Sequence, residues 1–123
     1  MSQEPSSPRI GGLPPRIERS PANWAVEHHD LLALREALDA GADVEEAQFG
    51  SPLLHHAVDV ERDGATQRGT PLHVDMTAFL LARGADPTRR SSSTGMSAEE
   101  LARVSGHWLA MELFEAWKRE RGR

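Results

Sequence analysis

Six histidines are the side chains of this 123-residue protein best suited to metal or proton chemistry, and four of them form adjacent pairs. The pairs are His28-His29 and His55-His56. Adjacent residues on a helix point about 100° apart, so neither pair can bind one metal ion from a single face. A metal site would require His28 and His55 to meet between packed helices, with Asp59 as a carboxylate ligand. Histidines that bond neighbouring groups or water are the simpler interpretation.

Catalysis has less support than metal binding. The chain contains serines, histidines and aspartates, but no nucleophile elbow, phosphate-binding loop or His-Glu-x-x-His motif gives them a catalytic spacing. The pair Gly11-Gly12 does not follow a strand pattern, so it does not indicate a phosphate-binding turn. Because the chain has no cysteine, disulfides, zinc-thiolate sites and cysteine nucleophiles are excluded. The sequence therefore predicts a non-enzymatic protein without a cofactor.

Composition is typical of a soluble globular domain. Apolar residues make up 38% of the chain and charged residues 27%. The net charge of −5 argues against nucleic-acid binding, because nucleic-acid-binding domains are normally basic. No apolar run approaches the roughly 18 residues of a membrane span, and the start of the chain lacks the apolar core of a signal peptide. We therefore expect a cytoplasmic monomer that binds neither nucleic acid nor membrane.

The first 19 residues differ from the rest in being rich in Pro, Gly and Ser, with few large apolar side chains. Such a segment cannot bury enough surface to offset the entropy of ordering it, so we expect residues 1–19 to form a flexible, disordered arm. Within it, Leu13-Pro14-Pro15-Arg16-Ile17 is compatible with a polyproline-type ligand or with a plain linker. The folded domain is expected to span residues 20–123.

The first two predicted helices form a pair. Ser20-Pro21 combines an N-cap residue with a proline at the first helical position, and predicts a helix to about His28. Asp30 begins the second helix, whose leucines recur at the spacing of one buried face: Leu31, Leu34 and Leu38. Gly41 ends this helix, because glycine adopts a positive φ after the last turn without strain.

The middle of the chain repeats this pattern with an interruption. Ser51-Pro52 predicts another helix, with the same cap-plus-proline signal and an apolar face that extends to Val58. The polar stretch Asp63–Gly69 contains two glycines and is interpreted as a loop. A further helix is predicted from about Val74 until Gly84 ends it. No segment shows the two-residue alternation of a strand.

Two more helices complete the chain. Ser97 and Glu100 have the spacing of a capping box, and the helix that they begin ends at Gly106. The last helix, about residues 107–119, carries a one-sided apolar stripe: Ala110, Leu113, Phe114 and Trp117. We expect Trp24, like Trp117, to pack into the core. The chain is therefore predicted to be all-α.

These segments resemble the ankyrin-repeat family, in which a Thr-Pro-Leu-His phrase opens each repeat and Gly-Ala-Asp follows its second helix. Ser20, Ser51 and Ser97 occupy the position of the threonine in that phrase. Gly41 lies 21 residues after Ser20, which is the spacing of the family. The resemblance implies a helical solenoid of three helix-turn-helix repeats, at about residues 20–48, 49–94 and 95–119.

The middle repeat departs from the family pattern. Ser51 and Gly84 are 33 residues apart, 12 more than the spacing in the first repeat. The phrase Thr70-Pro71-Leu72-His73 lies inside this excess, but only 14 residues separate Thr70 from Gly84, too few for two helices and a turn. We therefore interpret residues 60–71 as an insert between the helices of the middle repeat, either functional or tolerated decoration.

The resemblance also implies a binding surface, because partners of ankyrin repeats usually dock on the face built from hairpin loops and first helices. These positions, with the insert, provide the predicted partner-binding residues: Glu27, His28, Glu45, Glu46, Gln48, Phe49, His55, Asp59, Arg62, Arg68, Arg89 and Arg90. The first loop is acidic and the second basic, which would orient a charged partner. Phe49 is either the anchor of this surface or a plug between its loop and the core.

We therefore expect a module that binds another protein and acts by occlusion or as a scaffold. Within this class, the alternatives are a bacterial inhibitor or immunity protein and a regulatory adaptor. A metal-binding or hydrolytic protein that uses His28 and His55 is the alternative from another class. Because fold does not dictate function, the sequence does not choose the partner.

Overall fold

The structure, a computed structural model, describes residues 19–121. This part of the chain is mainly helical and contains one small sheet; its elements are α1 (Pro21–Glu27), α2 (Leu31–Asp39), β1 (Ala47–Gln48), β2 (Ser51–Pro52), α3 (Leu53–Arg68), α4 (Asp75–Ala82), α5 (Ala98–Ser105) and α6 (Trp108–Arg121). No helix among these is both long enough and apolar enough to cross a membrane. The predicted arm lies outside the described residues except for Arg19, and so does its polyproline-type segment.

The helices pack around α3. Helix α1 contacts α2 and α3, α3 contacts α4 and α5, and α5 contacts α6, which also touches α4. The core is a single apolar cluster whose largest fully buried side chains come from α2, α3, α4 and α6: Leu34, Leu53, Met76, Leu80 and Phe114. Because α3 touches both neighbouring helix pairs, it positions the surface residues on either side of it.

The predicted helix starts of α1, α2 and α5 are confirmed. Ser20 Oγ and Asp30 Oδ1 each accept the backbone N–H three residues further on, at 3.0 Å in both cases. Ser97 and Glu100 form the capping box, with both of its hydrogen bonds at 3.1 Å. These bonds satisfy N–H groups that have no partner inside the helix.

The predicted helix ends at Gly41 and Gly84 are also confirmed, with φ angles of 110° and 101°. After each glycine, the next amide donates to the carbonyl five residues earlier, at 3.1 Å and 3.0 Å, which is the Schellman pattern. The same bond ends α1 at 2.8 Å, but there His29 occupies the glycine position with a φ of 56°. His29 and Gly106 each lie nine residues after an N-cap serine, and both are left-handed.

The predicted loop at Asp63–Gly69 is wrong. Helix α3 continues for 16 residues without a break and ends only at Gly69, which has a φ of 66°. Arg68 lies in the last turn, where a basic side chain is favourable at the negative end of the helix. Glu61 is fully buried, and its contacts hold this part of α3 in place beyond the end of its apolar face. Most of the predicted insert, residues 60–71, is therefore an extension of α3.

Ser51-Pro52 does not cap α3 with a serine side chain, and the expectation that the chain has no strands is wrong. The two residues form β2, which pairs antiparallel with β1, and Pro52 occupies the N-cap position without a side-chain hydrogen bond. Phe49 and Gly50 make the turn between the strands, with φ angles of 54° and 80°. Positive φ at both positions is the requirement of a type I′ hairpin turn.

The prediction that Trp24 belongs to the core is also wrong. Its side chain is 47% exposed, and its ring stacks on His28 with the centroids 4.2 Å apart. Helix α1 uses small residues for its buried face instead, because it packs closely against both α2 and α3: Ala22, Ala25 and Val26. Phe114 is fully buried as expected, and Trp117 packs against the core while partly exposed.

Candidate functional site

Two adjoining clefts lie along α3. The turn cleft, of about 520 Å³, lies between the C-terminal end of α1 and the second half of α3. The hairpin cleft, of about 320 Å³, lies between the first half of α3, the tip of the β1–β2 hairpin and the loop before α5. His56 and Asp59 line both clefts, so together the clefts form one surface, called the groove below.

Seven of the twelve predicted partner-binding residues line the groove: Glu27, His28, Gln48, Phe49, His55, Asp59 and Arg68. They come from α1, the hairpin and α3. Helix α3 brings them into one surface because it lines both clefts, facing α1 in one and the hairpin in the other.

The predicted acidic and basic loops lie in contact with each other. Arg89 donates to Glu45 Oε1 at 2.9 Å, so these two charges neutralise one another. Arg90 makes two hydrogen bonds to the carboxylate of Glu100, at 2.8 Å and 3.1 Å. Glu46 accepts a hydrogen bond from the N-cap serine of α1. None of these loop charges lines the groove.

Arg62 also lies outside the groove. It lines a separate cleft of about 360 Å³ beside Trp108 and the α5–α6 turn. Its Nε donates to the carbonyl oxygen of Ser105 at 2.6 Å, so this arginine ties the extension of α3 to the end of α5.

Phe49 is the most exposed large apolar side chain in residues 19–121, at 72% of its surface. The interpretation that it plugs the loop onto the core is therefore wrong. The backbone beneath it is fixed, because Ser92 donates its N–H to the carbonyl oxygen of Gly50 at 3.1 Å. A Cβ on Gly50 would lie 2.5 Å from Ser92 Oγ, so glycine is required there for space as well as for φ. The hairpin thus presents the Phe49 ring from a rigid tip.

His55 is a buried wall of the hairpin cleft, 2% exposed. Its Nε2 donates to the carbonyl oxygen of Met96 at 2.8 Å, which leaves Nδ1 as an acceptor. Among the described residues Nδ1 has no hydrogen-bond partner. Burial lowers the pKa of His55 below its ordinary value, so the ring is neutral at pH 7.

Both carboxylate and imidazole side chains line the centre of the groove. Burial, reinforced by the nearby charge of Asp63, raises the pKa of the Asp59 carboxyl above its ordinary value. Oε1 of Glu27 lies 2.7 Å from Nε2 of His56. This part of the groove is therefore rich in acceptors, which suits N–H and cationic groups of a bound partner.

The metal site considered from the sequence does not form. Nδ1 of His28 lies 2.9 Å from the carbonyl oxygen of Trp24, and His55 is engaged with Met96. Within residues 19–121, the one group of three potential ligands contains neither of these histidines and is formed by His29, His73 and Asp75.

A buried network around Glu61 was not anticipated from the sequence. Its Oε2 accepts the backbone N–H groups of Met76 and Thr77 at 2.9 Å and 3.1 Å. Its Oε1 accepts Thr77 Oγ1 at 2.7 Å and His107 Nε2 at 2.8 Å. Glu61 thereby caps α4, whose N-cap Val74 offers no side-chain bond. The partners lie 15 to 46 residues away, so no local pattern could have indicated this network.

Some groove residues were not predicted from the sequence, and the reason is again that distant parts of the chain meet in space. His56, Ser91 and Ser93 enter it only because α3, the hairpin and the loop before α5 meet in space. The serine-rich stretch after Arg90 was the available signal, since Ser91 Oγ donates to the Gly50 carbonyl at 2.8 Å.

No protein-family model matches this chain, and a comparison with curated proteins found no relative. The functional conclusion therefore depends on the groove and on the geometry of the helix ends.

Proposed function

We propose that this chain is a non-enzymatic protein-binding module of the ankyrin-repeat type. In this proposal, three helix pairs stack as a short solenoid, and the groove along α3 holds part of another protein. The ring of Phe49 is the anchor of the complex.

The repeated turn geometry supports the solenoid. The first and third pairs both begin at a capping serine and both turn at a left-handed residue nine positions later. The second helices of the first two pairs both end at Gly-Ala-Asp with the same Schellman bonds. Equivalent turns at equivalent positions are what repeat arrays use to stack successive units.

The single observation that carries the binding proposal is the conformation and exposure of Phe49. A left-handed backbone is unfavourable for a bulky side chain, and Asn-Gly is the usual sequence at the turn positions of a type I′ hairpin. Here a phenylalanine occupies the first position with a φ of 54° and leaves 72% of its surface exposed. Since neither backbone nor packing in the free protein favours this ring, a binding role explains it best.

The groove also indicates the chemistry of the partner. Beside Phe49 lies the carboxyl of Asp59, which is accessible in the same cleft. A complementary partner has an apolar pocket for the ring, flanked by N–H or cationic donors. A bacterial inhibitor or immunity protein that covers a basic active site would use such a surface, and the net charge of −5 supports that role. A regulatory adaptor is the alternative, and the identity of the bound protein distinguishes the two.

The test is affinity capture from a lysate of the native host with three forms of the protein. Phe49→Asn removes the ring with a residue that tolerates positive φ. Leu32→Ala is the matched control, because Leu32 is 62% exposed on α2 and lies outside the groove. We expect a captured protein to be retained by the parent and by Leu32→Ala, and to be lost with Phe49→Asn. With the purified partner, Phe49→Asn should weaken binding about tenfold or more, as for an aromatic hot spot.

Phe49→Asn should leave the free protein folded and raise its free energy of unfolding by up to about 1 kcal/mol, because backbone strain is relieved. Urea unfolding measures this change. It also shows whether weaker binding by the variant comes from loss of the Phe49 contact or from unfolding of the protein. If Phe49→Asn and Leu32→Ala retain the same partner equally, the groove is not the binding surface. If the parent itself captures no specific partner, the protein-binding proposal fails.

A further inference from the structure

His29, His73 and Asp75 converge where the turn after α1 meets the start of α4. Nε2 of His29 lies 3.2 Å from Oδ1 and 3.3 Å from Oδ2 of Asp75. Nδ1 of His73 lies 2.9 Å from Oδ1 of the same carboxylate. The two imidazole rings meet edge to face, with their centroids 4.4 Å apart. One ligand atom of each residue therefore lies within 4.8 Å of the others.

We propose that these three side chains bind a divalent transition-metal ion, with Zn²⁺ as the representative ion. Two imidazole nitrogens and one carboxylate oxygen are a donor set that Zn²⁺ and its first-row neighbours prefer, whereas Mg²⁺ and Ca²⁺ prefer oxygen ligands alone. Ligand atoms at about 2.0–2.2 Å from zinc in a tetrahedron are roughly 3.3–3.6 Å apart. The observed separations from the Asp75 oxygens, 2.9–3.3 Å, need only a small expansion, and the two histidine nitrogens lie within 4.8 Å of each other.

Two of the three ligands, His29 and Asp75, are carried by fixed parts of the backbone, whereas His73 lies in the segment between α3 and α4. His29 occupies the left-handed position of the Schellman turn that ends α1, where glycine is usual and where its φ is 56°. Asp75 is the first residue of α4, and the amides of the next two residues are held by the buried carboxylate of Glu61. A site on helix ends that are themselves fixed requires little ordering when the ion binds.

The site has an open side for the ion and for a water ligand. The side chains of His29, His73 and Asp75 are 28%, 39% and 47% exposed. Without metal, the facing nitrogens of both histidines can donate to Asp75; with metal, each must present a lone pair, so each ring proton moves to the other nitrogen. Three protein ligands and a solvent position complete a tetrahedral site.

The ion would join two helix pairs. His29 lies in the turn between α1 and α2, and His73 lies in the segment between α3 and α4. Metal binding is therefore expected to stabilise the packing of the first pair against the second, because the ligands are brought together only in the folded chain. This role does not involve Phe49, although His29 also lines the turn cleft of the groove.

Isothermal titration of the full chain with ZnCl₂ tests the proposal, with Co²⁺ absorption as a direct report of coordination. We expect one Zn²⁺ per chain and the visible bands of four-coordinate Co²⁺. His29→Asn, His73→Ala and Asp75→Asn should each weaken binding about tenfold or more, since loss of even an outer-shell partner can have that effect. Asparagine is chosen for position 29 because it tolerates the positive φ of that residue.

His28→Asn is the matched control, because His28 adjoins His29 in the sequence but bonds the carbonyl of Trp24. We expect this control to bind Zn²⁺ as the parent does, and Zn²⁺ to raise the melting temperatures of both proteins but not that of His29→Asn. Circular dichroism verifies that each variant is folded. Absence of stoichiometric binding, or equal loss in His28→Asn and His29→Asn, would overturn the proposal.

Discussion

A fully buried carboxylate is stable only if its hydrogen-bond acceptors are satisfied, and Glu61 meets this condition. It accepts two backbone N–H groups, one hydroxyl and one imidazole N–H. His107 Nδ1 in turn lies 3.3 Å from the backbone nitrogen of Ala110 and accepts its N–H, while Nε2 faces Glu61. Glu61 is therefore a structural residue that joins α3 to α4 and to the α5–α6 turn.

Replacing Glu61 should destabilise the protein strongly. In Glu61→Gln an NH2 group, which cannot accept hydrogen bonds, replaces one of the two accepting oxygens, so at least one buried donor is left without a partner. We expect a loss of about 1–3 kcal/mol in the free energy of unfolding. Glu61→Ala should lose more, since all four donors are then unsatisfied. Urea denaturation measures both, and Glu112→Gln, an exposed carboxylate on α6, is the control. A loss no larger than that of the control would contradict the network.

At the scale of elements, the extension of α3 is the feature that most changes the surface. After Ser20 and after Ser97, the left-handed residue that ends the helix follows nine residues later. In α3 the corresponding left-handed residue, Gly69, comes eighteen residues after Ser51. The additional nine residues are about two and a half helical turns. They form one wall of the turn cleft, with Asp63 and Arg68 among its lining residues.

Two glycine substitutions distinguish a helix from a loop in this extension. Gly64 lies inside α3, and a Cβ there would meet only the movable end of Arg68, at 2.7 Å. Gly64→Ala should therefore stabilise the protein by about 0.5–1 kcal/mol through helix propensity. Gly69→Ala should destabilise it by about 1 kcal/mol, because a φ of 66° is strained for alanine. Thermal melts followed by circular dichroism measure both changes, and a destabilising Gly64→Ala would argue against a continuous helix.

Local signals predicted the helix ends well, because caps act within one turn. Ser20, Asp30, Ser97, Gly41 and Gly84 all have the predicted roles. The extension of α3 was mistaken for a loop because its polar residues and Gly64 resemble a loop when read alone. Contacts with distant residues make it helical, among them the bonds of Glu61 and the Arg62–Ser105 bond.

The groove was predictable only in part for the same reason. Its members on α1, α3 and the hairpin were expected from the resemblance to ankyrin repeats, which depends on spacing along the sequence. His56 and Ser93 join them through tertiary contacts, and so does the pairing of Arg89 with Glu45. The exposure of Trp24 also has no local signal, because it depends on which face of α1 meets its neighbours.

At the scale of the whole molecule, the carboxyl of Asp59 in the groove makes stability depend on pH. Burial raises the pKa of Asp59 in the folded state, so between its ordinary value of 3.8 and the raised value the folded state holds more protons than the unfolded state. The contribution of this group to stability is therefore full at low pH and is lost as pH rises through that range.

Asp59→Asn should accordingly raise the free energy of unfolding at pH 7, and the gain should disappear below pH 3.8, the ordinary pKa of this carboxyl. Urea unfolding across this range measures the difference. Glu36→Gln removes the same charge from an exposed position on α2 and should have little effect, which controls for net charge. An equal gain at all pH values would mean that the substitution acts through packing and not through ionisation.

The Glu61 network also bears on how the molecule opens. In a simple repeat array the terminal unit touches only its neighbour and can unfold alone. Here the α5–α6 turn supplies His107 to a carboxylate that also caps α4, so separating the last helix pair would break the buried His107–Glu61 hydrogen bond. We therefore expect local unfolding from this end to be suppressed, and the last two helix pairs to unfold as one cooperative unit.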